Sequence, residues 1–513
     1  MSDYTSLVPK YTFPGTLAEQ EEALASNPLM QRLLAARATY ASDPHRPLYH
    51  YVNPEAMLND PNGLCYWQGN WHLFYQAYPP EDRRQHWGHA ISADLVHWRD
   101  LPYCIYPNPE EKCYSGTTLV EADRVIAIYH GTEVGNMVAV SSDPLLLNWK
   151  KVGDGAVIPM QAPDGSPLPY RVFDPCIWEK DGSYYSLSAG TKPEGPAGKP
   201  VRANFLLKSE DLEHWEYLHP FVEDDAFTLV GDDGACPYFW PLGDRHILLF
   251  FSHMSGGRYL LGDYDKERDK FVVTHGAKFN FGAATPAGVH APSATPDGEG
   301  GVIAIFNMNH GKESAGWNQI MTLPRRLRAR GDDLLIEAAG DLESLRQSPR
   351  HFESLPLPAN REIVVDSLQG NAMEFFVELE PGTAPMVEMN VLRSPNREEY
   401  TRIAFFRDRG FADRVTGRRH SLVSIDSSYS SCAPDVLSRA PETAPVLLAP
   451  DEALELRVFV DRSVVEVFVN GRQCIALRVY PERPDSLGVS FRSQGADSRI
   501  RALKTWQMQS IWS

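Results

Sequence analysis

With 513 residues, the chain is longer than one hydrophobic core usually organises, so two domains are the starting expectation. A hydrophobic content of 43%, 11% aromatics and 40 prolines beside 37 glycines suit a folded protein of many strands and tight turns, and favour an all-β class. The formal net charge of −18, with no concentrated Lys/Arg block, argues against nucleic acid and anionic membranes as partners. Taken alone it reads as solubility and names no substrate.

Seven cysteines, Cys65, Cys104, Cys113, Cys176, Cys236, Cys432 and Cys474, are odd in number, scattered and never spaced as Cys-x-x-Cys. They read as buried small hydrophobes in a reducing compartment, neither a disulfide framework nor a zinc site. Met1 to Ser6 shows no charged lead into an apolar run, and no 18-residue apolar stretch occurs elsewhere. A cytoplasmic enzyme is the expectation.

Residues 1–45 form a helical extension in this reading, with two short helices between 16 and 38 broken at Asn27-Pro28. They are expected to pack on the main body or on a partner subunit, which leaves homo-oligomer formation open. Within 46–345, short runs such as Trp71 to Tyr75, Val125 to Tyr129, Ser183 to Leu187, His246 to Phe251 and Gly301 to Phe306 recur between Gly, Pro, Asp and Asn clusters. Such runs predict a sandwich, barrel or propeller of antiparallel strands. The proline-rich stretch 346–358 is expected as a linker. Beyond it, 359–513 alternates apolar and polar residues, as in Leu454 to Val460, and carries an Asn470-Gly471 turn, which predicts a β-sandwich. Asp461 and Glu466 there are expected on a solvated face, with a neighbouring subunit's site as the alternative.

One motif stands out: Asn59-Asp60-Pro61-Asn62-Gly63, followed by the aromatic run Trp71 to Gln76. A carboxylate at a turn stiffened by Pro61 and Gly63 is aimed as a nucleophile would be, although the same five residues also make a hairpin turn. Downstream come Gln85-His86-Trp87-Gly88-His89-Ala90, Asp94-Leu95-Val96-His97-Trp98, Tyr114-Ser115-Gly116-Thr117, Tyr259 to Asp265, Gly316-Trp317, Leu323-Pro324-Arg325 and Phe459 to Phe468. This ordered series resembles glycoside hydrolase family 32, the invertases, inulinases and levanases, over roughly residues 46 to 510. The resemblance implies a five-bladed β-propeller followed by a β-sandwich, and retaining cleavage of fructosides without a cofactor.

Such cleavage needs a proton donor for the leaving oxygen and a carboxylate about 5 Å away to attack the anomeric carbon. By the resemblance Asp60 is the nucleophile, and Asp174, in Val172-Phe173-Asp174-Pro175, is the aspartate that holds ring hydroxyls and stabilises the oxocarbenium-like transition state. Asp60 and Asp174 are 114 residues apart, and Asp174 and Asp233 are 59 apart, so the three acids can start different blades and meet at one funnel.

Two positions depart from the family pattern. Phe173 stands where its Arg-Asp-Pro arginine is expected, with Arg171 two residues earlier as a candidate substitute. Ala235 stands where its Glu-Cys-Pro glutamate, the acid, is expected, in Gly231-Asp232-Asp233-Gly234-Ala235-Cys236-Pro237. Asp233 shares a strand face with position 235 and is the favoured acid; a bulge at Gly234 would exchange it for Asp232.

The fructose-pocket positions carried over are Asn59, Gln76, Trp87, Tyr114 and Ser115: amides and hydroxyls for sugar hydroxyls, an aromatic face for the ring. Met57-Leu58 replaces the family's Trp-Met, so one aromatic wall is absent. His86 and His89 are three apart but have no third ligand in sequence and read as structural, with no metal expected. No phosphate loop, nucleophile elbow or nucleotide fingerprint occurs. The reading is a β-fructofuranosidase acting on a small fructoside. The alternatives are a fructosyltransferase on the same scaffold and a fructoside-binding protein that lost its acid.

Overall fold

The computed structural model describes residues 4–512 except 194, 381, 383, 413, 415 and 416. Helices Leu17–Ala25 and Pro28–Tyr40 flank Asn27, whose side chain accepts the amides of Leu29 and Met30. Pro28 needs no amide partner in that first turn, so the sequence break and the helix start coincide. The helices rest on the main body: Arg32 pairs with Glu55 at 2.7 Å, and Arg37 grips Asp100. The Arg37 guanidinium also lies 3.3 Å above the Trp512 ring, and the Ile511 amide donates to the Leu48 carbonyl at 3.0 Å.

Residues 56–338 form five sheets of four or five strands, with one further two-stranded ribbon. The innermost strands are Ala56–Trp67, Cys113–Val120, Pro175–Lys180, Ala235–Leu242 and Val289–Pro296. Each touches the next in that order and the last returns to the first, so the sheets radiate from a closed ring as propeller blades do. The ring is fastened by Trp317–Asn318, which adds parallel to the start of Ala56–Trp67. Val, Ile, Leu and aromatic residues on the strand faces fill the space between sheets, among them Leu73, Ile128, Leu187, Phe250 and Ile305, all buried.

Two six-stranded sheets stack beyond residue 345. Their facing residues, including Phe375, Val377, Ile403, Val423, Val458, Val467 and Leu503, form a separate apolar core.

Three expectations are corrected here. The stretch 346–358 is no linker: Arg346–Leu357 is a strand paired with Ser498–Met508. It lies at a sheet edge and its register shifts between Gln347 and Arg350, so Pro349 falls at an irregularity where its missing N–H removes no ladder bond. Asp461 and Glu466 do not face solvent either; both are fully buried. Asp461 accepts the amides of Leu48, Tyr49 and His50, and the His50 ring bridges Asp461 (2.8 Å) to Glu466 (3.1 Å). Glu466 also takes Arg325 at 3.0 Å and the Leu323 amide. These carboxylates fasten the sandwich to the propeller and compensate each other's desolvation. Finally, Cys432 is exposed, while the other six cysteines are buried.

Candidate active site

Each innermost strand brings one group to a common centre, at or beside its first few residues: Asp60, Ser115, Asp174, Cys236 and His290. Asp60 is buried. Its Oδ2 accepts Ser115 Oγ at 2.7 Å and Gln76 Nε2 at 3.4 Å, and its Oδ1 accepts His290 Nδ1 at 3.0 Å. Burial works to raise its pKa, but the donors His290, Ser115 and Cys236 outweigh it and hold the carboxyl below its ordinary value. Asp60 is therefore an anion on a dry floor, the charge state a nucleophile needs.

Asp174 is equally buried but has fewer donors. Its Oδ2 accepts the Cys236 amide at 3.0 Å, and the Cys236 thiol lies 3.5 Å from that oxygen and 3.6 Å from Asp60 Oδ2. Among the described residues nothing donates to its Oδ1, which is left for a ligand. Burial, only partly offset by the Cys236 amide and reinforced by the charge of Asp60, pushes its pKa up to about 7. The Cys236 backbone, at φ 49°, turns its amide and thiol toward the two acids. Burial and both carboxylates push the thiol well up, so it stays protonated as a donor.

Around this pair Asn59 Nδ2 donates to Gln76 Oε1 at 3.2 Å, and Asn307 Nδ2 donates to Asn59 Oδ1 at 3.1 Å. Gln76 Nε2 also donates to Ser115 Oγ at 2.8 Å. Tyr114 is half-buried and passes its carbonyl to Trp87 Nε1. Tyr78, pushed up to about 12 by burial and by Asp60, holds Gln85 nearby.

The amino-acid sequence matches one known family across both halves of this fold. Residues 50–338 match the glycosyl hydrolases family 32 N-terminal domain and residues 341–507 its C-terminal domain. The chain belongs to glycosyl hydrolase family 32. Among curated family members it is similar to a levanase of Bacillus subtilis (strain 168), 25% identical over 93% of this chain and 72% of the levanase. It is similar also to a sucrose-6-phosphate hydrolase of Zymomonas mobilis, 27% identical over 90% of this chain and 92% of that one. Among solved structures, fructan 1-exohydrolase IIa from Cichorium intybus superposes with a TM-score of 0.79 at 21% identity, covering 91% of this chain and 98% of that one.

Against the family 32 expectations, several side chains sit elsewhere. Trp87 is fully buried, packed on Phe74 and Tyr129 beneath the floor, so it presents no face to a sugar. Trp87 pairs directly opposite Gln76, so the two side chains share one face of the sheet; it is the packing of the indole under Phe74 and Tyr129, not its direction, that closes it to a ligand. Asp232 is buried and taken up by the Leu229 amide, the Ser252 and Ser255 hydroxyls and Arg258 at 3.3 Å, so its oxygens are engaged away from Asp60 and Asp174. Asp233 is half-buried and bound to His253: its Oδ2 accepts His253 Nδ1 at 2.6 Å and its Oδ1 the His253 amide.

Arg171 does not replace the family arginine. It is exposed and lines, with Tyr170, Tyr217 and Lys192, a cleft of about 800 Å³; among the described residues no hydrogen bond ties it to Asp60 or Asp174. Phe173 instead packs, with Ala235, Cys236, Phe251 and Ala291, in one small apolar cluster. The two departures from the family motifs thus share a site: where an arginine and a glutamate are expected, a phenylalanine and an alanine occupy one apolar wall.

His290, His253 and Tyr78 were not singled out in the sequence, where none belongs to a motif. Only the ring of strands brings them in. His86 and His89 have separate partners, Ser6 Oγ (2.6 Å) and His72 Nδ1 (3.0 Å). Among the described residues no three His, Cys, Asp or Glu side chains converge as a metal site requires.

Proposed function

We propose that this protein is a retaining β-fructofuranosidase that releases fructose from sucrose or short fructans. The observation that carries this is the Asp60–Cys236–Asp174 arrangement: an ionised, fully hydrogen-bonded carboxylate beside a second one whose free oxygen awaits a donor. In the first step Asp60 attacks the anomeric carbon of the fructosyl unit while a proton passes to the departing oxygen; in the second, water releases fructose from the ester. Asp174 grips ring hydroxyls, and these donors favour its ionised form as charge builds on the ring. Asn59, Gln76, Ser115 and Tyr114 line the same floor. The names of the relatives, levanase and sucrose-6-phosphate hydrolase, support a fructoside as substrate.

The test is fructose release from sucrose, kestose, inulin and levan oligomers. Wild type is expected to release fructose from at least one of them and Asp60→Asn to lose at least ~10³-fold, the scale on which a covalent nucleophile acts. Oligosaccharide products at high sucrose would move the reading to fructosyl transfer. Binding without turnover would make the protein a fructoside-binding one.

A further inference from the structure

Position 235 carries no carboxylate and lies in the apolar cluster of Phe173, Ala235, Phe251 and Ala291. The nearest ionisable side chains beyond that wall on the strands of Ala235 and Phe251 are Asp233 and His253. The register of the fourth sheet places Ala235 opposite Phe251; two residues further out on each strand stand Asp233 and His253, joined by their 2.6 Å contact. Because Nδ1 of His253 is bound to Asp233, the nitrogen left over is Nε2. The ring stands edge-on to Phe251 (5.6 Å) and 6.5 Å from the His290 ring, whose Nδ1 holds the attacking carboxylate Asp60. His253 thus stands one histidine ring away from the group that holds the nucleophile.

We propose that His253 is the general acid and base of this enzyme, with Asp233 as its positioning residue, in place of the family's glutamate. The inference rests on the fructosidase reading above. In the first step Nε2–H of the His253 imidazolium passes its proton to the glycosidic oxygen. The bond from the anomeric carbon to that oxygen breaks, its electron pair stays with the oxygen, and Asp60 forms the ester. In the second step neutral Nε2 takes a proton from water, the water oxygen bonds to the anomeric carbon, and the Asp60 carboxylate leaves. Histidine returns to imidazolium, so protons and charge balance over the cycle.

The surroundings suit that cycle. The hydrogen bond to Asp233 raises the His253 pKa, burial opposes it, and the charges of Asp233, Asp174 and Asp60 raise it further. The imidazolium therefore persists above the pH at which a free histidine loses its proton. The titratable groups facing it are the carboxyls of Asp233, Asp174 and Asp60 and the ring of His290. Asp232, the other carboxylate nearby, is withdrawn into its contacts with Arg258 and two serines.

The experiment compares kestose, whose sugar leaving group requires a proton, with 4-nitrophenyl β-fructofuranoside, whose leaving group does not. For His253→Ala and His253→Gln, kcat/KM on kestose is expected to fall by ~10²–10⁴-fold, the range general acids supply. On the aryl fructoside it is expected to fall far less. That retained activity shows the variants are folded. Asp233→Asn is expected to move the alkaline limb of kcat/KM to lower pH. Equal losses on both substrates, or none, would overturn the assignment of His253; loss in Asp233→Asn with His253→Ala unaffected would make Asp233 itself the acid. A wild type inert on every fructoside would fail the fructosidase reading itself, a result visible before any variant is compared.

Discussion

Asp60 and Asp174 share a thiol and an apolar floor yet are pushed in opposite directions, because one has four donors and the other two. Removing a donor should bring Asp60 toward Asp174. His290→Ala is expected to lower kcat by ~10–100-fold and to move the acid limb of kcat/KM upward, as a carboxylate with fewer donors needs higher pH to ionise; a pH–rate profile reads both. Asp174 has the reverse stability linkage from a salt-bridged acid. Between the ordinary carboxylate range and about 7 the folded protein keeps a proton that the unfolded chain releases, so stability falls as pH rises through that window. Asp174→Asn should therefore melt several degrees above wild type at pH 8, with little difference at pH 4, while turnover is lost. Differential scanning calorimetry at the two pH values tests this. Of these residues, Asp60, Gln76 and Ser115 were legible because each lies in a local motif. His290 and His253 were not, since what makes them notable is the register of strands remote in sequence. Trp87 was misplaced for a related reason: a motif fixes which residue is present, but the packing of Phe74 and Tyr129 around the indole, set by other strands, decides whether a ligand can reach it.

Strands aim the site through close contacts a sequence motif only hints at. Gly63, at φ 47°, lies where an added Cβ would meet Thr118 Cγ2 at 2.6 Å. The Asn-Asp-Pro-Asn-Gly segment is thus an irregular point within a strand, not a free hairpin turn, and it has register shifts on both sides of Pro61-Asn62. Gly63→Ala is expected to cost ~1–3 kcal/mol through overpacking and backbone strain, measured by denaturant unfolding, and to reduce turnover by displacing Asp60. At this scale the helices and the alternating carboxy-terminal strands were readable from capping and period. The strand Arg346–Leu357 was not, because its prolines fit an edge strand as well as they fit a linker.

For the molecule as a whole, His50 is the group through which pH reaches the junction of propeller and sandwich. Burial would lower its pKa, but the hydrogen bonds to Asp461 and Glu466 prevail and raise it from 6.5 to about 9. The stabilisation is present in full below 6.5 and is lost as pH rises through about 9, as the folded state gives up a proton that the unfolded chain has already lost. Calorimetry across pH 6 to 10 should show a falling melting temperature that His50→Gln flattens.

The contact of Arg37 with Trp512 has a different sort of consequence. Its two partners lie 475 residues apart in sequence, so the helix Pro28–Tyr40 is synthesised long before the ring that covers its arginine, and the clasp forms only once the strand Ser498–Met508 just before Trp512 has joined its sheet. Limited proteolysis during refolding should therefore find that helix protected after the strands of the propeller.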